Sequence, residues 1–203
     1  MPAEPVIDYY FAPMSGYAYL GHHDLMALAR HSGARVRFLP LDMARVYAAA
    51  GVTPPYEHGE ARRSYRIEQQ ARLARLRGLR MEAMPPSWPT DPRLACRCIL
   101  AAGVLGLDQD AVTFACLRGV WAEHRNIADP GDLQEAFEAA DLPGGRILAR
   151  AQTEEMRDAV TAVTDGAIDA GVFGSPTYVL HGRRYYGQDQ IDCLRAALQR
   201  DAA

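Results

Sequence analysis

The chain has 203 residues, of which 49% are hydrophobic and 23% charged, so it has enough apolar side chains for a packed core. All 22 basic side chains are arginines, and the lack of lysine excludes Schiff-base enzymes that use lysine and phosphate-binding P-loops. A net charge of −3 without a basic tail gives no reason to expect nucleic acid, which requires dense phosphate neutralisation. These features favour a small-molecule role.

The sequence lacks the features of exported and membrane-spanning proteins. No stretch approaches the roughly 20 apolar residues of a membrane helix. The start, Met1–Pro5, lacks the basic and apolar regions of a signal peptide. We therefore expect a soluble, cytoplasmic protein that does not bind membranes.

The cysteines and histidines do not form the pattern of a metal or disulfide site. The four cysteines include no Cys-x-x-Cys pair; they are Cys96, Cys98, Cys116 and Cys193. The adjacent His22 and His23 diverge by about 100° around a predicted helix, so they do not face one ligand. We expect structural thiols in a reducing compartment and no metal.

The first 40 residues predict a strand, a helix and a second strand. Val6–Phe11 is a β-branched and aromatic run that stops at Ala12-Pro13, as a buried strand before a loop would. Apolar residues recur at helical spacing from Gly16 to about His31. Arg35–Leu39 then alternates polar and apolar residues, which is typical of a strand.

The middle of the chain predicts helices and no strands. Helical patterns cover residues 42–50, 60–77, 93–105, 109–123, 133–139 and 153–170. Glycine and proline clusters such as Pro143-Gly144-Gly145 separate these patterns. Seven arginines lie between residues 62 and 80, and a solvated helix face is the default interpretation of such a run.

The end of the chain predicts a β-hairpin and a helix. The two strands are Pro176–Leu180 and Arg183–Tyr186, joined by a tight turn, and the helix starts near Gln188-Asp189. A right-handed β-α-β unit and a later hairpin together give a mixed four-stranded sheet. We therefore predict a thioredoxin-like α/β fold, with a thioredoxin-like domain at 1–41 and 171–203 and a large inserted all-helical domain at 42–170.

Two short segments are candidates for a ligand site. Ser15 lies between the first strand and its helix, where unpaired backbone N–H groups and the helix dipole favour anions. Redox proteins of this fold place cysteines there, whereas Ser15 can only cap the helix or donate a hydrogen bond to a bound thiolate. Ser175-Pro176 opens a strand, where a cis proline leaves the preceding backbone free to pair with an extended peptide; an ordinary turn is the alternative.

The most specific motifs are Val172–Thr177 and Tyr186–Asp189, and four further segments accompany them: Ile7–Phe11, Ser15–Leu20, Asp42–Val46 and Trp88–Asp91. In these segments the chain resembles the 2-hydroxychromene-2-carboxylate isomerase family, over residues 6 to about 198. That family is glutathione-dependent and related to kappa-class glutathione transferases. The resemblance implies a thioredoxin-like enzyme with a helical insertion, glutathione as its cofactor and a homodimer.

The resemblance also implies roles for particular residues. Ser15 matches the serine that hydrogen-bonds the glutathione sulfur and helps to keep it a thiolate. Ser175, before a cis Pro176, matches the residue whose backbone pairs with the cysteinyl part of glutathione. Gln188 and Asp189 match the polar pair that holds the γ-glutamyl end.

Arg62 falls near a family lysine that contacts the anionic side of the tripeptide. Glutathione has two carboxylates and one ammonium, so arginines and a carboxylate at separate places are what it requires. Arg66 lies one helical turn from Arg62 and could add to the cationic side. The chain departs from its relatives in having Arg rather than Lys at residue 62 and in lacking an Asn before this helix.

We expect a cis-trans isomerase that acts on an aromatic carboxylate such as 2-hydroxychromene-2-carboxylate, in aromatic-compound catabolism, by reversible addition of the glutathione thiolate. A conjugating, kappa-like glutathione transferase is the alternative enzyme, and a non-catalytic thioredoxin-like protein that binds peptides is the alternative from another class. Most aromatic residues, including Tyr9, Tyr10, Tyr17, Trp88 and Tyr186, are expected in the core, with one or two available to stack on a substrate.

Overall fold

A mixed four-stranded sheet forms the centre of the computed structural model, which describes residues 4–201. Its strands are β1 (Val6–Phe11), β2 (Arg35–Pro40), β3 (Thr177–Leu180) and β4 (Arg183–Tyr186), in the spatial order β2-β1-β3-β4. β2 is parallel to β1, and β3 is antiparallel to both β1 and β4. Residues 1–3 and 202–203, which belong to the predicted start and end of the chain, lie outside the described residues. The sheet confirms the predicted thioredoxin-like topology.

Helices make up most of the rest of the described chain. They are α1 (Gly16–Ser32), α2 (Met43–Ala50), α3 (Glu60–Leu76), α4 (Arg93–Val104), α5 (Gln109–Ala122), α6 (Pro130–Glu138), α7 (Gly144–Ala151), α8 (Glu154–Asp169) and α9 (Ile191–Asp201). Two 3₁₀ turns, Pro55–Glu57 and Gln188–Gln190, precede α3 and α9.

One helix was missed by the sequence prediction, and two other elements begin at different residues because of their prolines. α7 was not predicted, because the glycine pair that begins it has the composition of a turn; Pro143 is its N-cap. α6 begins earlier than predicted, at Pro130, since proline suits the first turn of a helix, where its missing N–H is not needed. β3 begins at Thr177 rather than Pro176, because proline cannot donate to the ladder.

One apolar core joins the sheet to the inserted helices. Ile7, Tyr9 and Phe11 of β1 belong to the same buried cluster as Ile99 of α4 and Phe137 of α6, and all five are fully buried. α1 packs against α5, and β2 packs against α4 and α8. The helical segment therefore shares its hydrophobic core with the sheet, and the division into residues 1–41 with 171–203 and residues 42–170 stays a prediction.

The cysteines are unpaired, as the sequence indicates. Cys96, Cys98 and Cys116 are buried, and Cys193 is exposed. Burial raises the pKa of Cys98 to about 12, so this thiol stays protonated at neutral pH. No helix between residues 4 and 201 is long and apolar enough to cross a membrane.

The shared core predicts that the sheet and the helical segment unfold together. We expect Ile99→Ala to lower the free energy of unfolding by about 2–5 kcal/mol, because the truncation leaves a cavity. Val104→Ala on the same helix, at an exposed side chain, should change it by less than about 0.5 kcal/mol. Urea unfolding followed by circular dichroism and tryptophan fluorescence should give one coincident transition; separate transitions would contradict a shared core.

Candidate functional site

The end of β1 meets the start of β3, because the two strands are antiparallel neighbours with Tyr10 opposite Thr177. Ser15 follows β1 and is the N-cap of α1: its Oγ accepts a hydrogen bond from the Ala18 N–H at 3.2 Å. The same hydroxyl donates to the Ser175 carbonyl oxygen at 3.3 Å. Ser15 thus both caps the helix and directs its proton towards the segment before β3.

Ser175 and Pro176 form the other side of this corner. Their peptide bond is cis, as the sequence predicts. The Ala12 N–H donates to Ser175 Oγ at 2.9 Å, and the Gly187 N–H donates to the Pro176 carbonyl at 2.9 Å. These bonds fix the cis turn between the end of β1 and the loop before α9, and Pro176 itself is buried.

Ser15 and Ser175 open into a cavity of about 540 Å³, here called the aromatic cavity. Six aromatic side chains line it: Tyr17, Tyr47, Tyr56, Tyr65, Trp88 and Tyr186. Met14 and Met43 add apolar surface, and His58, Arg62 and Arg66 supply its nitrogen donors. Among the described residues no Asp or Glu side chain lines it, so the cavity suits an aromatic ligand that carries negative charge.

α3 forms one wall of this cavity and is tied to α1. The Tyr17 hydroxyl donates to Gln69 Oε1 at 2.6 Å, which joins the first turn of α1 to α3. Arg62 is exposed at the cavity, whereas Arg66 is half-buried with its guanidinium 4.3 Å from the centroid of the Trp88 ring. Arg66 therefore departs from the solvated face that the arginine-rich run predicted.

Burial raises the pKa of three tyrosines that line the cavity. The pKa of Tyr47 rises to about 12, and those of Tyr17 and Tyr186 also rise. Burial is the largest cause in each case, and the negative charge of Asp189 adds to the rise at Tyr17 and Tyr186. These phenols are neutral hydrogen-bond donors at physiological pH.

Gln188 and Asp189 lie in the 3₁₀ turn before α9, and neither lines the aromatic cavity. Gln188 is buried, and its Oε1 accepts a hydrogen bond from Arg77, which also donates to Asp24 at 2.8 Å. Asp189 is exposed, and its Oδ1 lies against Gly187, the residue that follows the cavity-lining Tyr186. Of this pair, only Asp189 presents its side chain to solvent.

The structure thus brings Ser15, Ser175 and Arg62 together at one cavity, with Pro176 buried behind Ser175 and Asp189 near one edge. The expected core placement was wrong for three aromatic residues, because Tyr17, Trp88 and Tyr186 line the cavity, while Tyr9 and Tyr10 are buried as expected.

Sequence analysis missed Tyr47, Tyr56 and Tyr65. They lie on three separate elements, α2, the first 3₁₀ turn and α3, so no local spacing relates them. A proline-rich loop, which includes Pro54 and Pro55 before Tyr56, was the one local indication of an irregular segment that could border a site. Within residues 4–201, no group of three or more His, Cys, Asp or Glu side chains could hold a metal ion.

The chain belongs to the DSBA-like thioredoxin domain family, whose model matches residues 6–199. A curated relative from Sphingobium xenophagum, named 2-hydroxychromene-2-carboxylate isomerase, is 24% identical over 196 residues, which cover 95% of this chain and 97% of the relative.

Among solved structures, a 2-hydroxychromene-2-carboxylate isomerase superposes with a TM-score of 0.83 at 23% identity, covering 97% of this chain and 96% of that one. The cytosolic disulfide reductase DsbM from Pseudomonas aeruginosa, solved with GSH, gives a TM-score of 0.67 at 21% identity, covering 97% and 98%. Both likenesses confirm the fold.

The raised tyrosine pKa values predict alkaline instability. The folded chain keeps the Tyr47 proton until about pH 12, whereas an unfolded tyrosine loses it near pH 10. The unfolded state therefore binds fewer protons above pH 10, so stability should fall as the pH rises. No lysine titrates in this range. Urea unfolding between pH 8 and 11 should show the fall, and Tyr47→Phe should make it shallower; an unchanged slope would contradict this assignment.

Proposed function

We propose that this protein is a glutathione-dependent cis-trans isomerase of an aromatic carboxylate such as 2-hydroxychromene-2-carboxylate. The observation that supports this most directly is the Ser15 hydroxyl, at the N-terminus of α1 and at the aromatic cavity, where the described residues supply two arginines and no carboxylate. The relatives with that isomerase name match nearly the whole chain. The same corner in this chain has no cysteine, which argues against a disulfide oxidoreductase.

The residues at the corner fit glutathione in charge and shape. Ser15 and the first N–H groups of α1 would face the sulfur, and the backbone of Ser175 would pair with the cysteinyl residue. Asp189, exposed beside the start of α9, would receive the ammonium of the γ-glutamyl end, and Arg62 a carboxylate. Gln188 would act through Arg77, because its side-chain oxygen already accepts from that guanidinium.

Glutathione, when bound, would supply a nucleophilic thiolate whose reversible addition to the ring-opened substrate would convert the double bond into a single bond that can rotate, so that no glutathione is consumed. Ser15 would donate its hydroxyl proton towards the sulfur and, together with the positive end of α1, would lower the pKa of the thiol. Its present bond to the Ser175 carbonyl is long at 3.3 Å, so little is lost when the hydroxyl turns. The aromatic walls orient the ring and exclude water.

The family resemblance further suggests a homodimer and a role in cytoplasmic aromatic-compound catabolism, and both are part of the proposal. A conjugating glutathione transferase would use the same corner but consume glutathione. A peptide-binding protein would use only the Ser175 backbone and would need no thiol.

A spectroscopic assay separates these functions. The ultraviolet spectrum of 2-hydroxychromene-2-carboxylate is recorded with purified protein, with and without glutathione, while free thiol is titrated in the same sample. We expect conversion to the trans enone that requires glutathione and leaves the thiol count constant. Loss of thiol would indicate conjugation or oxidation, and a spectrum that never changes would refute the isomerase proposal.

Variants of Ser15 separate helix capping from thiolate stabilisation. Ser15→Ala removes both roles, and we expect a loss of about 1 kcal/mol in stability and a larger drop in turnover than in glutathione affinity. Ser15→Asp keeps a cap but cannot donate a hydrogen bond at neutral pH, so it should fold well and lose turnover. Ser15→Thr keeps both and should retain activity. Wild-type activity of Ser15→Asp across the pH range would exclude the assigned role.

A further inference from the structure

Arg66 lies between two cavities. It lines the aromatic cavity and also a smaller one of about 180 Å³ behind Trp88, here called the rear cavity. Its guanidinium is 4.3 Å from the Trp88 ring centroid and 5.9 Å from that of Trp121. Tyr56 and Trp88 line both cavities as well. The two spaces are therefore neighbours that meet at this arginine.

The charge of Arg66 has no partner in the described part of the chain. Most other half-buried arginines are neutralised: Arg77 pairs with Asp24, and Arg125 with Glu123 and Glu135. Arg66 forms no hydrogen bond or ion pair with residues 4–201, and its guanidinium lies against the Trp88 ring. Burial lowers its pKa, and no carboxylate opposes that effect. Contact with aromatic faces offsets part of the desolvation of a cation, whereas an anion would offset far more.

Gln70 adds a second unsatisfied donor at the same place. It lies one helical turn after Arg66 on α3, lines the rear cavity and is only 3% exposed. Its Nε2 is buried without a hydrogen-bond partner. A Cβ added to Gly16, the residue after Ser15, would collide with this Nε2. The donor therefore lies under the start of α1, next to the proposed thiolate site.

We propose that Arg66 and Gln70 form the subsite for the carboxylate of the aromatic substrate, with the ring held by Trp88 and the tyrosines of the aromatic cavity. The inference rests on the proposed function for its choice of an aromatic ligand. Arg66 is deep among aromatic side chains, where a ring fits, whereas Arg62 is exposed and better placed for the solvated ends of a tripeptide. Selectivity for a carboxylate then comes from two donors for which the described residues supply no acceptor, one of them the buried Gln70 Nε2.

Calorimetry with an unreactive probe tests this subsite without turnover or glutathione. Trans-cinnamate and its neutral amide, trans-cinnamamide, are titrated into the full chain. We expect wild type to prefer the acid, and Arg66→Met to lose about 10- to 100-fold of affinity for the acid and little for the amide. Arg66→Lys should keep part of the preference as a point charge. Arg75→Met, at an exposed arginine on the same helix that lines neither cavity, is the matched control.

A further variant places a carboxylate of the protein itself next to Arg66. Gln70→Glu has nearly the same shape and would pair with Arg66 one helical turn away, so it should abolish the preference for cinnamate while the thermal unfolding temperature is kept or raised. Retention of the wild-type preference by either Arg66→Met or Gln70→Glu, with both folded, would overturn the proposal.

Glutathione titrations test the alternative that Arg66 binds glutathione and not the substrate carboxylate. If Arg66→Met weakens glutathione as much as cinnamate, Arg66 belongs to the tripeptide site and the proposal is wrong. Cinnamate binding that depends on Arg66 in a protein without isomerase activity would refute the proposed function and leave the carboxylate subsite standing. Isomerisation that is insensitive to Arg66→Met would refute the carboxylate subsite and leave the proposed function standing.

Discussion

The antiparallel pairing of β1 with β3 is the constraint on which the site depends. It brings two residues that are 160 positions apart, Ser15 and Ser175, within hydrogen-bond distance. The pairing leaves the first turn of α1 and the cis peptide before β3 at the same end of the two central strands. The first N–H groups of α1, which have no carbonyl partner within the helix, therefore lie at this end of the sheet.

The helical insertion supplies what the sheet cannot, which is an enclosing wall. α2, α3 and the loops beside them place aromatic rings and arginines over the Ser15 corner, while α4 and α8 pack against β2 and share the core. The wall holds the half-buried Arg66 against the Trp88 ring, and no residue in the described part of the chain pairs with its charge. The proposed carboxylate subsite follows from this arrangement, because a bound anion would offset the free energy of desolvating Arg66.

Local stability and chemical function overlap at the corner. Ser15 accepts from the Ala18 N–H as an N-cap and also donates its proton to the Ser175 carbonyl. Arg77 links Gln188 to Asp24 and so holds the turn before α9 against α1. A residue assigned to ligand contact by resemblance, such as Gln188, is in the structure engaged in positioning its neighbours.

The sequence by itself determined the strands, most helices, the cis turn at Pro176 and the Ser15 corner, because each depends on neighbouring residues: an apolar period, a capping side chain or a proline at a strand start. It missed α7, whose first residues have the composition of a turn, and placed Trp88, Tyr17 and Tyr186 in the core, because hydrophobicity alone does not distinguish a packed ring from one at a cavity wall. Only the tertiary structure decided which arginine of α3 is half-buried and which tyrosines surround Ser15. Those properties depend on contacts with elements that are distant in the sequence, and residue spacing along a single helix gives no information about such contacts.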